Sequence, residues 1–263
     1  MTRTNVVIGA ASGMGAAVAA RLAGVERMIL ADLDHAALDA VASRLDGPTD
    51  TVACDITKQA DVDALVAATG ELGKLVLTAG LSPSMAGGRR IYDVNLAGTE
   101  RVVTAFRPIA SAGSAAVCFA SMAAHMMSPD ATLDAILDAP LVGDFTDRLA
   151  AAGIDPDQPQ FAYALSKRGV VRLVRRHAGD WGRVGARLLS LSPGIIDTGM
   201  GRLEAENEPA MATMVETSAL ARTAAPEEVA AVAAFLVSAE ASFMTATDVL
   251  VDGGCVAASG VLP

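Results

Sequence analysis

The chain has 263 residues, 52% of them hydrophobic, and its 30 Asp and Glu residues against 20 Lys and Arg give a net charge of −10. That length suits one large α/β domain or two small ones with ample material for a core, and the negative charge opposes binding to nucleic acid or an anionic membrane surface. The longest run without formal charge, residues 108–129, contains Gly113, several serines, His125 and a proline at each end, so it does not read as a membrane span.

The first apolar run, "NVVIG", begins at residue 5 and leaves no room for a charged and apolar leader. Cys54, Cys118 and Cys255 lie in apolar runs without metal-ligand spacing. The expectation is therefore a cytoplasmic protein with reduced core thiols and no metal. After "NVVIG" come "ERMILAD", "TVACD", "KLVLTAG", "SAAVCFAS", "ARLLSLSP" and "DVLVDGG", most of them separated by alanine-rich, helix-like stretches. None alternates polar with apolar residues, so the runs predict parallel strands buried on both faces, with helices on either side. No repeat, low-complexity tract or linker divides the chain, and one domain over 1–263 is expected.

The first run leads into "GAASGMG", whose Gly9, Gly13 and Gly15 let the backbone turn tightly and approach a pyrophosphate at a helix N-terminus. Any strand-to-helix turn favours glycine, so position matters. Asp32, at the end of the second run, stands where a carboxylate accepts hydrogen bonds from adenosine ribose hydroxyls. It would repel a 2′-phosphate, and the glycine turn holds no Arg or Lys to offset this, which favours NAD over NADP. The alternative is that Asp32 or Asp34 caps the next helix. Further on, "FAYALSK" sets Tyr163 and Lys167 on one helical face, unless the helix is simply amphipathic with Lys167 in water.

With these motifs in order, the chain resembles the short-chain dehydrogenase/reductase superfamily over essentially its full length. The glycine turn (Gly9, Ser12, Gly13, Met14, Gly15) matches the family's cofactor motif, and "CDIT" places Asp55 and Ile56 at the adenine. "LTAG" is a degraded Asn-Asn-Ala-Gly; Ala79 and Gly80 remain for close cofactor approach, while Leu77 and Thr78 put strand bracing in doubt. "VNLAG" supplies Asn95, "FASMAA" Ser121, "YALSK" Tyr163 and Lys167, and "SPGIIDT" the nicotinamide loop with Pro193, Gly194, Ile195 and Thr198. The resemblance implies a doubly wound Rossmann-type domain with a seven-stranded parallel sheet and helices on both faces. It also implies hydride transfer between NAD and a secondary alcohol or ketone, mostly apolar and steroid-like. Tyr163 would be the acid/base, and an ammonium about 4 Å from its oxygen would favour the phenolate by roughly 4 kcal/mol, around three pKa units. Lys167 would also bind the nicotinamide ribose, Ser121 the substrate oxygen, and Asn95 a water linking Lys167 to solvent. Two rival readings are an idle dinucleotide sensor or scaffold, against which the intact Tyr163 and Lys167 argue, and a sugar-nucleotide epimerase or dehydratase, for which the chain is too short.

Between Ser121 and Tyr163 the chain is longer than is usual in the family, with an insertion at about 127–160. Leu133, Ile136 and Leu137, then Leu141, Phe145 and Leu149, suggest two short amphipathic helices broken at Pro140. A comparable segment is similar to that of bacterial 3α-hydroxysteroid dehydrogenase/carbonyl reductases. His125 reads as an exposed loop residue rather than part of the substrate mouth. Met122, Met126, Met127, Met200, Met211 and Met214 gather on the presumed substrate side, either as adaptable pocket lining or, for Met211 and Met214, as a buried helical stripe. Many relatives pair through the Tyr/Lys helix and the "VNLAG" helix. An insertion folded over the first would block that contact, leaving a homodimer through "TDVLVDGG" and the helix at 226–238, with the tetramer disfavoured.

Overall fold

The computed structural model describes residues 3–260; the termini of the expected 1–263 domain lie outside the described residues. Each predicted apolar run forms a strand: β1 (Thr4–Ile8), β2 (Arg27–Asp32), β3 (Thr49–Ala53), β4 (Leu72–Leu77), β5 (Ala115–Phe119), β6 (Arg187–Pro193) and β7 (Asp248–Val251). They make one parallel seven-stranded sheet in the order β3-β2-β1-β4-β5-β6-β7. Central Val6 pairs with Ile29 on one side and Leu75 on the other, and all three are fully buried. This explains the absence of polar alternation in the sequence.

Helices α1 (Gly13–Leu22), α2 (His35–Ala42) and α3 (Gln59–Thr69) connect the first strands, and α4 (Gly88–Tyr92) runs through a π-helical turn, Asp93–Gly98, into α5 (Thr99–Phe106). The insertion forms α6 (Ala131–Leu137) and α7 (Phe145–Ala151), followed by the long α8 (Pro159–Gly182), whose Pro159 fits a first helical turn. After β6 come α9 (Gly199–Asn207), α10 (Ala210–Thr217), α11 (Pro226–Val237) and, beyond β7, α12 (Cys255–Ala258). One sheet face packs against α5 and α8 through residues such as Leu96, Phe106, Leu173 and Trp181. The other packs against α1 and α11 through Val18, Ala233 and Leu236. From β1 the chain winds outward through β2 and β3, then returns to β4 on the opposite side. The strand ends diverge at that reversal, which is where doubly wound sheets bind ligands.

The insertion lies on the outside of α8. Ile136, Leu137, Phe145 and Leu149 are buried as expected, but Leu141 is exposed because it falls in the turn between the two helices. Asp130 caps α6 by accepting from Thr132 N and Leu133 N. Arg168 grips Asp134 with two bonds of 2.6 and 2.9 Å, Arg172 grips Asp138 likewise at 2.9 and 2.6 Å, and Arg176 reaches Asp138 at 3.2 Å. Spaced four residues apart, these arginines lie on one face of α8, so part of the insertion's acidity serves to hold it in place.

Candidate active site

Glycine shapes the first half of the site. Gly9 has φ +87°, and a Cβ there would lie 2.4 Å from Ala79 N; on Gly15 it would lie 1.9 Å from Gly9 O. Only glycine permits this close packing of β1, β4 and the start of α1. Thr78 replaces the family's missing asparagine bracing, since its hydroxyl donates to Ile8 O and Gly9 O at 2.9 and 3.1 Å. Ser12 begins α1 without a side-chain cap, leaving first-turn amides for an anion.

Asp32 accepts from Ala11 N (3.0 Å) and Leu33 N (2.7 Å), while the next helix is capped by Asp34 through Ala37 N. Its place is therefore in the cleft and not at a helix cap. The cleft is a cavity of about 360 Å³ that brings together Gly9, Ser12, Gly13, Met14, Gly15, Asp32, Asp55, Ile56, Ala79, Gly80 and Thr198. Leu33, Cys54, Arg90 and Val94 also line it, and the sequence reading missed all four. Arg90 pairs locally with Asp93, which marks only a helical ion pair; its cleft partners Thr57 and Asp55 are far away in sequence. Burial pushes the Asp55 carboxyl up, but bonds from Thr57 and the Arg90 and Lys58 charges outweigh this and hold it below its usual range. The glycine cradle, open helix terminus and carboxylate fit a dinucleotide.

A second cavity of about 210 Å³ continues from the first and is lined by Ser121, Tyr163, Lys167, Pro193, Gly194, Ile195 and Thr198. Ser121 follows β5 and starts a short 3₁₀ turn, accepting from Ala123 N at 3.2 Å. Tyr163 and Lys167 face it from α8. Lys167 is 6% exposed and donates to Phe119 O at 2.9 Å, with its ammonium 5.9 Å from the Tyr163 ring centroid. It is therefore not in water. The expected depression of the phenol is absent in the protein alone: burial raises the Tyr163 pKa, hydrogen bonding from Ser121 opposes this, and the Glu204 charge adds to it. Burial also lowers Lys167 to about 8, because desolvation disfavours whichever form is charged.

Asn95 lies in the π-helical turn. Its side chain accepts from Leu81 N (2.7 Å) and donates to Leu81 O (2.9 Å) and Ser166 Oγ (3.3 Å), bracing the β4 loop against α8. His125 corrects the sequence reading. It is half-buried, bonded through Nε2 to Asp248 Oδ2 at 2.8 Å and Ser192 Oγ at 3.2 Å, and so ties the Ser121 turn to β6 and β7. No local pattern announces partners so distant in sequence. Of the methionines, Met14, Met122, Met200 and Met211 line the second cavity, while Met126, Met127 and Met214 do not. On α10, Met211 and Met214 are half-buried while Ala212, Thr213, Glu216 and Thr217 are exposed, so the helix carries the apolar stripe offered as an alternative, though none of it is fully buried.

A family model described as enoyl-(acyl carrier protein) reductase matches residues 9–139 and 148–256; the residues between fall at the turn from α6 to α7. A short-chain dehydrogenase/reductase of Alternaria brassicicola is 32% identical, covering 98% of this chain and 97% of the relative. The 3-alpha-hydroxysteroid dehydrogenase/carbonyl reductase of Comamonas testosteroni is 31% identical over 95% of each. A solved structure from Brucella melitensis, a short-chain glucose/ribitol dehydrogenase, superposes with a TM-score of 0.76 at 26% identity over 96% of both chains. The chain belongs to the short-chain dehydrogenase/reductase superfamily, oxidoreductases of alcohols and ketones that work with a nicotinamide dinucleotide.

Proposed function

We propose that the protein is an NAD-dependent dehydrogenase/reductase for secondary alcohols and ketones with a largely apolar, steroid-like body. The observation carrying this reading is the meeting of Ser121, Tyr163 and Lys167 where the glycine-floored cleft opens into a second cavity of mostly apolar surface, to which Met, Leu, Ile, Phe, Pro and Ala side chains contribute. When bound, the dinucleotide would supply hydride exchange and, when oxidised, a positive charge. Tyr163 Oη takes the proton from the substrate hydroxyl in oxidation and returns it in reduction. Ser121 Oγ holds the substrate oxygen and stabilises charge as it develops there. Lys167 holds ribose hydroxyls and favours the phenolate. Asn95 Oδ1 and Lys167 Nζ both border Gly80, where an added Cβ would stand 3.2 and 3.3 Å from them; Asn95 would hold a water that links Lys167 to solvent.

Asp32 supports the preference for NAD, its carboxylate being fixed at the cleft by two backbone amides. Arg90 reaches the same cleft, but Asp93, Thr57 and Asp55 surround its guanidinium, which leaves it poorly placed to favour a 2′-phosphate. The covered face of α8 supports a homodimer through β7 and α11, where Phe235 on α11 and the fully exposed Phe243 in the loop before β7 offer apolar surface. Among the described residues no helix is long and apolar enough to cross a membrane. Purified protein supplied with NAD or NADP and a panel of secondary alcohols and steroids, read at the reduced-nicotinamide absorbance, tests the proposal. Turnover with NAD is expected; equal use of NADP would overturn the cofactor assignment.

A further inference from the structure

The substrate cavity contains a carboxylate that the proposed chemistry does not use. Glu204, on α9 just beyond the nicotinamide loop, lines the same cavity as Ser121 and Tyr163. Two contacts fix its position. Thr198 caps α9 by accepting from Gly201 N at 3.0 Å, and across the cavity Glu204 Oε1 accepts from Ser84 N at 2.8 Å. No other hydrogen bond to this carboxylate is present among the described residues. The same wall contains Ser82, whose buried hydroxyl has no hydrogen-bond partner either.

A carboxylate is an acceptor with two oxygens. One is held by Ser84; the other belongs to a half-buried side chain and is open to water in the empty site. A substrate that fills the mainly apolar cavity displaces that water and must then bring a donor or leave an ionised oxygen unpaired, which is costly. A site with this deficit favours a ligand that brings a donor and rejects the otherwise identical ligand that lacks one. We infer that Glu204 is a specificity-determining residue, selecting substrates that carry a second hydroxyl besides the reacting alcohol or ketone. The preferred substrate is then a diol or hydroxyketone on an apolar frame. This inference rests on the oxidoreductase reading above and narrows its substrate class.

The test compares matched pairs, acetoin against butanone and hydroxylated against unsubstituted cyclohexanone, in the wild type, Glu204→Leu and Glu204→Gln. In the wild type the hydroxylated member should have the higher kcat/KM by about tenfold or more, within the discrimination a hydrogen-bonding site provides. Glu204→Leu should reduce that ratio toward parity. Glu204→Gln, which keeps an oxygen for Ser84 N and guards against a folding defect, should lower it as well. A further readout separates charge from shape. Tyr163 faces Lys167 on its own helix, Ser121 on the 3₁₀ turn and the Glu204 charge on α9, so removing that charge should move the alkaline rise of the oxidation rate to lower pH. No preference in the wild type, or a preference that survives in Glu204→Leu, would overturn the inference. Ligand-observed NMR of acetoin and butanone with the cofactor-loaded protein measures the same preference without turnover. Binding selectivity in a protein that turns over no alcohol or ketone would sink the oxidoreductase reading and leave the subsite standing.

Discussion

Replacing Lys167 by Met should make the cofactor-free protein more stable at neutral pH while destroying its activity. Lys167 is 6% exposed and its ammonium donates to Phe119 O, a single bond in place of its hydration. Burial lowers its pKa from 10.5 to about 8, which corresponds to a penalty of about 3 kcal/mol for keeping it charged in the folded state. Methionine preserves most of the length but leaves the Phe119 carbonyl without its donor, a loss of about 1 to 2 kcal/mol. The net gain at about pH 7 is therefore about 1 to 2 kcal/mol. The pH dependence identifies the cause. Because the folded-state pKa is below the unfolded one, the unfolded chain keeps its proton to higher pH. The penalty is full below about pH 8 and is relieved as pH rises toward 10.5. Urea unfolding of both proteins without cofactor should show the advantage of Lys167→Met at about pH 7 and its disappearance by about pH 10. A variant less stable than wild type by the same amount at both pH values would refute the reasoning and show that the ammonium is well solvated or well paired.

Tyr163→Phe keeps the ring but removes the transferable proton, so kcat should fall by about a hundredfold or more while NADH still binds, as judged by nicotinamide fluorescence; near wild-type turnover would exclude Tyr163 as the acid/base. Asp32→Ala should narrow the preference for NAD over NADP measured as a ratio of kcat/KM, and an unchanged ratio would remove Asp32 from cofactor selection. Light scattering at micromolar concentration should find a dimer; a tetramer that persists after deletion of residues 127–160 would show that the insertion does not control assembly.

The central strands were legible in the sequence because burial on both faces leaves a simple mark, a near-continuous apolar run. The edge strands β3 and β7 bury no residue fully and were marked by short Val-containing runs in the same alternation with helices. The candidate cofactor cleft was legible for a related reason. Gly9, Gly15 and Asp32 act through backbone approach and one carboxylate, and each has a fixed place relative to its own strand. Side chains acting across the fold left no such mark. Glu204 is held by Ser84, a residue 120 positions away, and His125 by Asp248, 123 away. Neither spacing follows a helical or strand period.

The electrostatics of the proposed catalytic pair show where local reasoning stops. A spacing of four brings Tyr163 and Lys167 to the same face, and that part of the sequence argument holds. Energy depends on what else surrounds them, and the expected mutual stabilisation gives way to burial, which raises one pKa and lowers the other. A buried pair of this kind is adjusted for a filled site and not for an empty one. The protein alone keeps the phenol protonated and holds a costly ammonium nearby; on the proposed function, a bound positive charge would favour the phenolate and hydroxyl acceptors would ease the ammonium. Lower stability without cofactor and acid/base competence with it are on this reading two consequences of one arrangement. The unfolding experiment on Lys167→Met measures the first, and the pH profile of turnover measures the second.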